Sequence, residues 1–127
     1  MAAPNILAAT TATPHTVSIT PADTSRNALV TAPSTGASQK INSIIVSNID
    51  GATAFDATIE LRLADGTTYR SIASTVSVPP DASLIVSDKT TMFYLMDTSV
   101  SGEASTLWAT SSTASKLTYT VSYETIS

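Results

Sequence analysis

The chain has 127 residues, 13% of them charged, with a formal net charge of −4, no cysteine and one histidine. That length holds one domain, and the charge balance argues against a nucleic-acid partner, which needs a basic face to neutralise phosphates. Without thiols there is no disulfide framework, thiolate metal site or cysteine nucleophile, and one histidine excludes a multi-histidine metal site.

Ile, Leu, Val and Phe together make up only 28 residues, whereas Ser and Thr make up 41. A Thr/Val/Ile-rich chain poor in charge is suited to antiparallel sheets, where β-branched side chains fill a half-buried pleat. The core is therefore expected to be thin, with part of the stability supplied by neighbouring subunits.

Residues 1–16 read as an extended N-terminal arm, with Ile6 and Leu7 its only bulky apolar anchors and no positive region of a secretory signal. No apolar run approaches the ~18–20 residues of a membrane span. Residues 17–127 then form a single β-sandwich domain. Weak strands over 16–20 and 28–32 flank Pro21-Ala22-Asp23-Thr24. A firmer strand over 40–48 ends at the turn residues Asn48, Asp50 and Gly51.

Residues 54–63 alternate strictly: Phe55, Ala57, Ile59, Leu61 and Leu63 share one face, and Asp56, Thr58, Glu60 and Arg62 the other. This is a strand with one wet side. Asp65-Gly66 follows as the favoured centre of a type I′ hairpin turn, pairing Leu61 with Arg70 and Ile59 with Ile72. The returning strand ends at Pro79-Pro80-Asp81, and short strands follow over 82–87 and 92–96. Residues 104–110 and 116–124 read as a closing hairpin, with Leu117, Tyr119, Val121 and Tyr123 inward. The total is about eight short strands in a two-sheet antiparallel β-sandwich, jelly-roll or immunoglobulin-like. Its expected core is Ile44, Val46, Phe55, Ile59, Leu61, Ile72, Val76, Val121 and Tyr123.

Chemistry gives no positive signal. A Ser-His-Asp triad would need His15, which sits beside Pro14 in the arm with nothing to hold its imidazole. The four glycines never cluster into a phosphate loop, and the carboxylates fall singly on turns. Asn48 and Asp50 are the nearest approach to a calcium loop, but they lack its closing Glu and read better as a turn. No catalytic residue, metal ligand or cofactor is expected. The outward Tyr69 and the aromatics Phe93, Tyr94 and Trp108 suit a contact surface, although core packing is the commoner fate of Phe and Trp. Of these, Tyr69 and Trp108 join Ile6 and Leu7 as candidate interface residues.

The stretch from Lys40 to Gly51 followed by a charged alternating strand, the segment from Pro79 to Lys89, and the ending from Leu117 to Ser127 resemble small β-sandwich virion proteins of tailed phages, cyanophages among them. The resemblance covers about residues 40–127. It implies a non-enzymatic structural protein on the outer surface of the particle, passing through the host cytoplasm during assembly. A capsid decoration (cement) protein is the leading expectation, partnered by copies of itself in a trimer and by the major capsid protein or another virion protein. The alternatives are a neck, tail or fibre-attachment component, or a carbohydrate-binding adhesin module using Trp108 and Tyr69. Neither a nucleic-acid nor a membrane partner is expected.

Overall fold

Alternation of apolar and polar residues does produce strands throughout. In a computed structural model that describes residues 6–127, the one helical element is a short 3-10 turn over Ile6–Ala8. Nine strands follow: β1 (Ala12–Ile19), β2 (Asn27–Val30), β3 (Ser38–Asn48), β4 (Phe55–Leu63), β5 (Tyr69–Val78), β6 (Ser83–Ser87), β7 (Phe93–Met96), β8 (Ala104–Ser111) and β9 (Leu117–Ile126). All pairings are antiparallel, in a five-stranded sheet ordered β1-β9-β3-β6 with β7 also on β3, and a four-stranded sheet ordered β2-β8-β4-β5.

This order decides between the two sandwich types, because, apart from the β4–β5 hairpin and the collinear β6 and β7, successive strands alternate between sheets as they do in a jelly roll. Strands β6 and β7 lie end to end along β3: Ser83–Ser87 pairs with its second half, Phe93–Met96 with its first. They are one strand interrupted by residues 88–92, so the nine strands reduce to the eight of a jelly roll.

The core fills the space between the sheets with Ile41, Ile44 and Val46 of β3, Ala57 and Ile59 of β4, Leu107 and Ala109 of β8, and Leu117, Tyr119 and Val121 of β9. Leu29, Val30, Val78 and Leu95 close it. Tyr119 spans the two layers. Its buried hydroxyl donates to the Thr110 carbonyl at 3.2 Å and pairs with Ser111 Oγ at 2.8 Å, and burial raises its pKa above that of a free phenol. Of the expected core, Ile44, Val46, Ile59 and Val121 are buried, and Phe55, Leu61 and Tyr123 pack against the core half-buried. Val76 is also half-buried.

Four expectations need correction. Ile72 is 38% exposed. Strand β5 carries two bulges, so that Ile59 faces Ala73 and Ala57 faces Val76, and Ile72 becomes the extra residue of the first. The second leaves Thr75 at a positive φ of 52°, its N–H donating to Thr58 Oγ1. Bulges on an edge strand break the regular row of free N–H and C=O groups that invites another sheet.

The turn is not type I′ about Asp65-Gly66. Gly66 N–H donates to the Leu63 carbonyl, so Ala64 and Asp65 are the central residues and Gly66 alone takes positive φ, 75°. The expected Leu61–Arg70 pairing survives, because Leu63 N–H still donates to Thr68 O.

Strands β8 and β9 do not form a hairpin. Each is an interior strand of a different sheet, with both edges occupied, and residues 112–116 arch between the layers. The arch is pinned by Ser112 N–H to Asp56 O and Ser115 N–H to Pro21 O.

Finally, residues 12–16 are not arm. They are the first half of β1, paired with β9 from Ala12–Ile126 to Thr16–Ser122, and Thr10 and Thr11 both donate N–H bonds to the Ser127 carbonyl.

Candidate interaction face

The outer face of the four-stranded sheet collects aromatic and charged side chains from three strands and a loop. Period-two alternation sends Glu60 and Arg62 of β4 outward while Ala57 and Ile59 face the core. The β4–β8 register sets Trp108 opposite Glu60 and Thr106 opposite Arg62, and the β4–β5 register sets Tyr69 opposite Arg62. Arg26 reaches in from the loop before β2. Its Nε donates to Glu60 Oε1 at 2.9 Å and its Nη2 to Oε2 at 3.3 Å, a side-on pair that raises the pKa of the guanidinium further.

These groups form one stacked layer. The Arg26 guanidinium carbon lies 3.8 Å from the Tyr69 ring centroid, Tyr69 meets Trp108 edge to face at 6.2 Å, and the Arg62 guanidinium carbon lies 4.9 Å over the Trp108 ring. Tyr69 and Trp108, both candidate interface residues in the sequence, thus come together. Sequence reasoning missed Arg26, Glu60 and Arg62. The outward alternation of Glu60 and Arg62 was visible, but their stacking partners depend on strand order.

The other sequence candidates lie elsewhere. Leu7 is 98% exposed in the N-terminal turn, and the Ile6 side chain lies outside the described residues. His15 is not loose in an arm: it sits on β1 with its ring stacked on Tyr123, centroids 4.8 Å apart at 20°. Asn48 and Asp50 build a turn. Buried Asn48 donates through Nδ2 to the Thr53 and Val78 carbonyls, and its Oδ1 accepts from Asp50 N–H. Asp50 Oδ1 accepts from Ala52 and Thr53 N–H, which with Lys116 at 3.4 Å hold its pKa below the usual carboxylate range.

Three further loop carboxylates, Asp65, Asp88 and Asp97, follow the same pattern. Asp65 accepts the Thr68 hydroxyl and the Thr67 and Thr68 N–H groups, which bring its pKa down to about 2. Asp88 is lowered by Thr90, and the buried Asp97 by the Ser99 hydroxyl and Gly36 N–H. Among the described residues, no three His, Cys, Asp or Glu side chains come together as a metal site.

The outer face of the five-stranded sheet contrasts with this charged layer. One cross-strand row runs Ser83, Ser47, Thr118, with Thr20 hydrogen-bonded at its end. The next runs Ile85, Ile45, Thr120, Ser18, and the third joins Ser43, Ser122 and Thr16. No charged side chain falls in these three rows, and Ile85 is 65% exposed.

No protein-family model and no curated protein matches the chain. Matches among solved structures include particles of infectious bursal disease virus. The T=1 particle matches at 18% identity and a TM-score of 0.36 over 89% of this chain, and the T13 viral particle at 16% and 0.37 over the same share. The VP2 subviral particle matches at 18% and 0.36. In each case the match spans about a third of the length of the virus chain.

Proposed function

We propose that the chain is a non-enzymatic structural protein of a tailed-phage virion, a decoration (cement) protein seated on the outside of the head. The observation that carries this reading is a patch on the outer face of the five-stranded sheet: three rows of hydroxyls and two isoleucines without a charge, bordered by a row in which Lys40 stands opposite Glu124. Burying an unpaired ion at an interface is costly, whereas hydroxyls can exchange water for backbone groups of a neighbour and Ile45 and Ile85 gain by leaving water. A decoration protein needs such a surface and little else, because it works by adding contact area where shell subunits meet. Its sequence resemblance to small phage sandwich proteins supports the same reading. The partners are further copies of the chain, in a trimer, and the major capsid protein. With residues 10–16 held by the protein's own sheet, any docking arm is confined to the residues before Thr10.

Mass spectrometry of purified particles tests the proposal. Many copies per head, in fixed ratio to the major capsid protein, are expected. A few copies would move the chain to the neck or tail, and absence from particles would refute the virion role.

A further inference from the structure

We propose that the Arg62–Trp108 pair receives the carboxylate of an Asp or Glu side chain from a protein partner docked on the outer face of the four-stranded sheet. This deepens the structural role proposed above and rests on it for the partner's being a protein, but the chemistry follows from the layer itself.

The layer has donors in excess. Arg26 is matched by Glu60, but the Arg62 side chain makes no ion pair or hydrogen bond among the described residues. Its Nε and the indole Nε1 of Trp108 are buried without an acceptor, which leaves the Arg62 Nη groups as the donors a partner can reach. The only carboxylate in the stack is already engaged at both oxygens by Arg26. What is missing is an acceptor, and the guanidinium fork of Arg62 suits a planar, two-oxygen one. Stacking on Trp108 already restricts the Arg62 side chain, so less conformational freedom is lost when an anion binds.

Charge distribution points the same way. The protein is acidic overall, yet Arg62 stands on this outer face without a carboxylate partner among the described residues, whereas Arg26 is paired with Glu60 and Arg70 lies opposite the inward Leu61. Of the lysines, Lys40 is on β3 of the other sheet, Lys116 is paired with Asp50, and Lys89 is exposed in the loop between β6 and β7. The outer face is balanced overall, Asp56 and Glu60 against Arg26 and Arg62, so the attraction for a carboxylate is local to the Arg62 fork that no acid engages. Trp, Tyr and Arg are also the residues that dominate protein–protein hot spots. A neutral sugar would instead stack on open aromatic faces, and here a guanidinium already lies over each ring.

The test uses the full chain and its single tryptophan, whose indole N–H gives one resolved signal in a ¹⁵N-labelled sample. Hexaglutamate is titrated at constant ionic strength, with hexaglutamine and oligoglucuronate as parallel arms. Saturable shifts of the Trp108 indole and Arg62 Nε–H signals are expected with hexaglutamate and not with hexaglutamine. Arg62→Gln, and less severely Arg62→Lys, should weaken binding by about tenfold or more, since the two-point contact is lost. Arg70→Gln, which lies outside the stack, should retain it. No shift with hexaglutamate, or unchanged binding in Arg62→Gln with its amide spectrum intact, overturns the proposal. Arg62-dependent binding of oligoglucuronate but not of hexaglutamate overturns it in favour of an acidic glycan. None of these outcomes requires particles, so the virion reading stands or falls separately.

Discussion

Replacing Ile59 and Ile72 by alanine, one at a time, tests the register on which both sheets' faces depend. Ile59 is fully buried at the centre of β4, flanked by Ala73 on β5 and Ala109 on β8. Ile→Ala removes three carbon groups, worth ~0.8 kcal/mol each in transfer, or ~2.4 kcal/mol. Two alanine neighbours leave little side chain able to move into the gap, and a cavity on the order of 70 Å³ adds ~1.7 kcal/mol at about 24 cal/mol per Å³. The expected cost is thus about 4 kcal/mol, within the ~2–5 kcal/mol found for buried aliphatic truncations. Ile72, displaced by the bulge and 38% exposed, should cost no more than ~1 kcal/mol, because it leaves no closed cavity. Urea unfolding followed through Trp108 fluorescence, at one fixed protein concentration, reads both values. A regular, unbulged hairpin would bury both isoleucines against each other and make both substitutions costly. An Ile72→Ala loss above ~2 kcal/mol would therefore refute the bulged register.

Acidification should destabilise the fold through its loop carboxylates. Asp50, Asp65, Asp88 and Asp97 all have depressed folded pKa values, Asp65 about 2, so they stabilise the fold above the unfolded value of ~3.9 and this is lost as pH falls from there towards 2. Urea midpoints measured from pH 6 down to 2 should show the decline, and Asp65→Asn should flatten part of it. Asn48→Ala leaves the Thr53 and Val78 carbonyls without their donor and should cost about 2–3 kcal/mol by urea unfolding, more than a surface turn would. Deleting residues 2–9 should leave the circular dichroism of the sandwich intact while lowering occupancy on particles. Unchanged occupancy would remove any docking role from Ile6 and Leu7.

The local order of this chain was readable in its residues. Strict alternation in β4 and β9 identifies strands and their wet faces, because a strand buries every second side chain wherever it lies. Gly66 with Asp65, Pro79-Pro80 and Asn48-Ile49-Asp50 mark the chain reversals, because few residues tolerate the backbone angles or supply the local acceptors that turns need. Strand partners were not readable in this way. A hairpin and an arch between sheets use the same Ser/Thr-rich loop composition, so the separation of β8 from β9 follows only from which edges β2, β4, β1 and β3 occupy. The β5 bulges were hidden as well, since Ile72 is as apolar as a core residue and its loss of place to Ala73 is visible only in the β4–β5 register. The stacked layer depends on both. Arg26 meets Glu60 across 34 residues, and Trp108 meets Arg62 and Tyr69 because β8, β4 and β5 lie side by side. Alternation is a property of the chain, whereas adjacency belongs to the whole sheet, and the interaction face is made of adjacency.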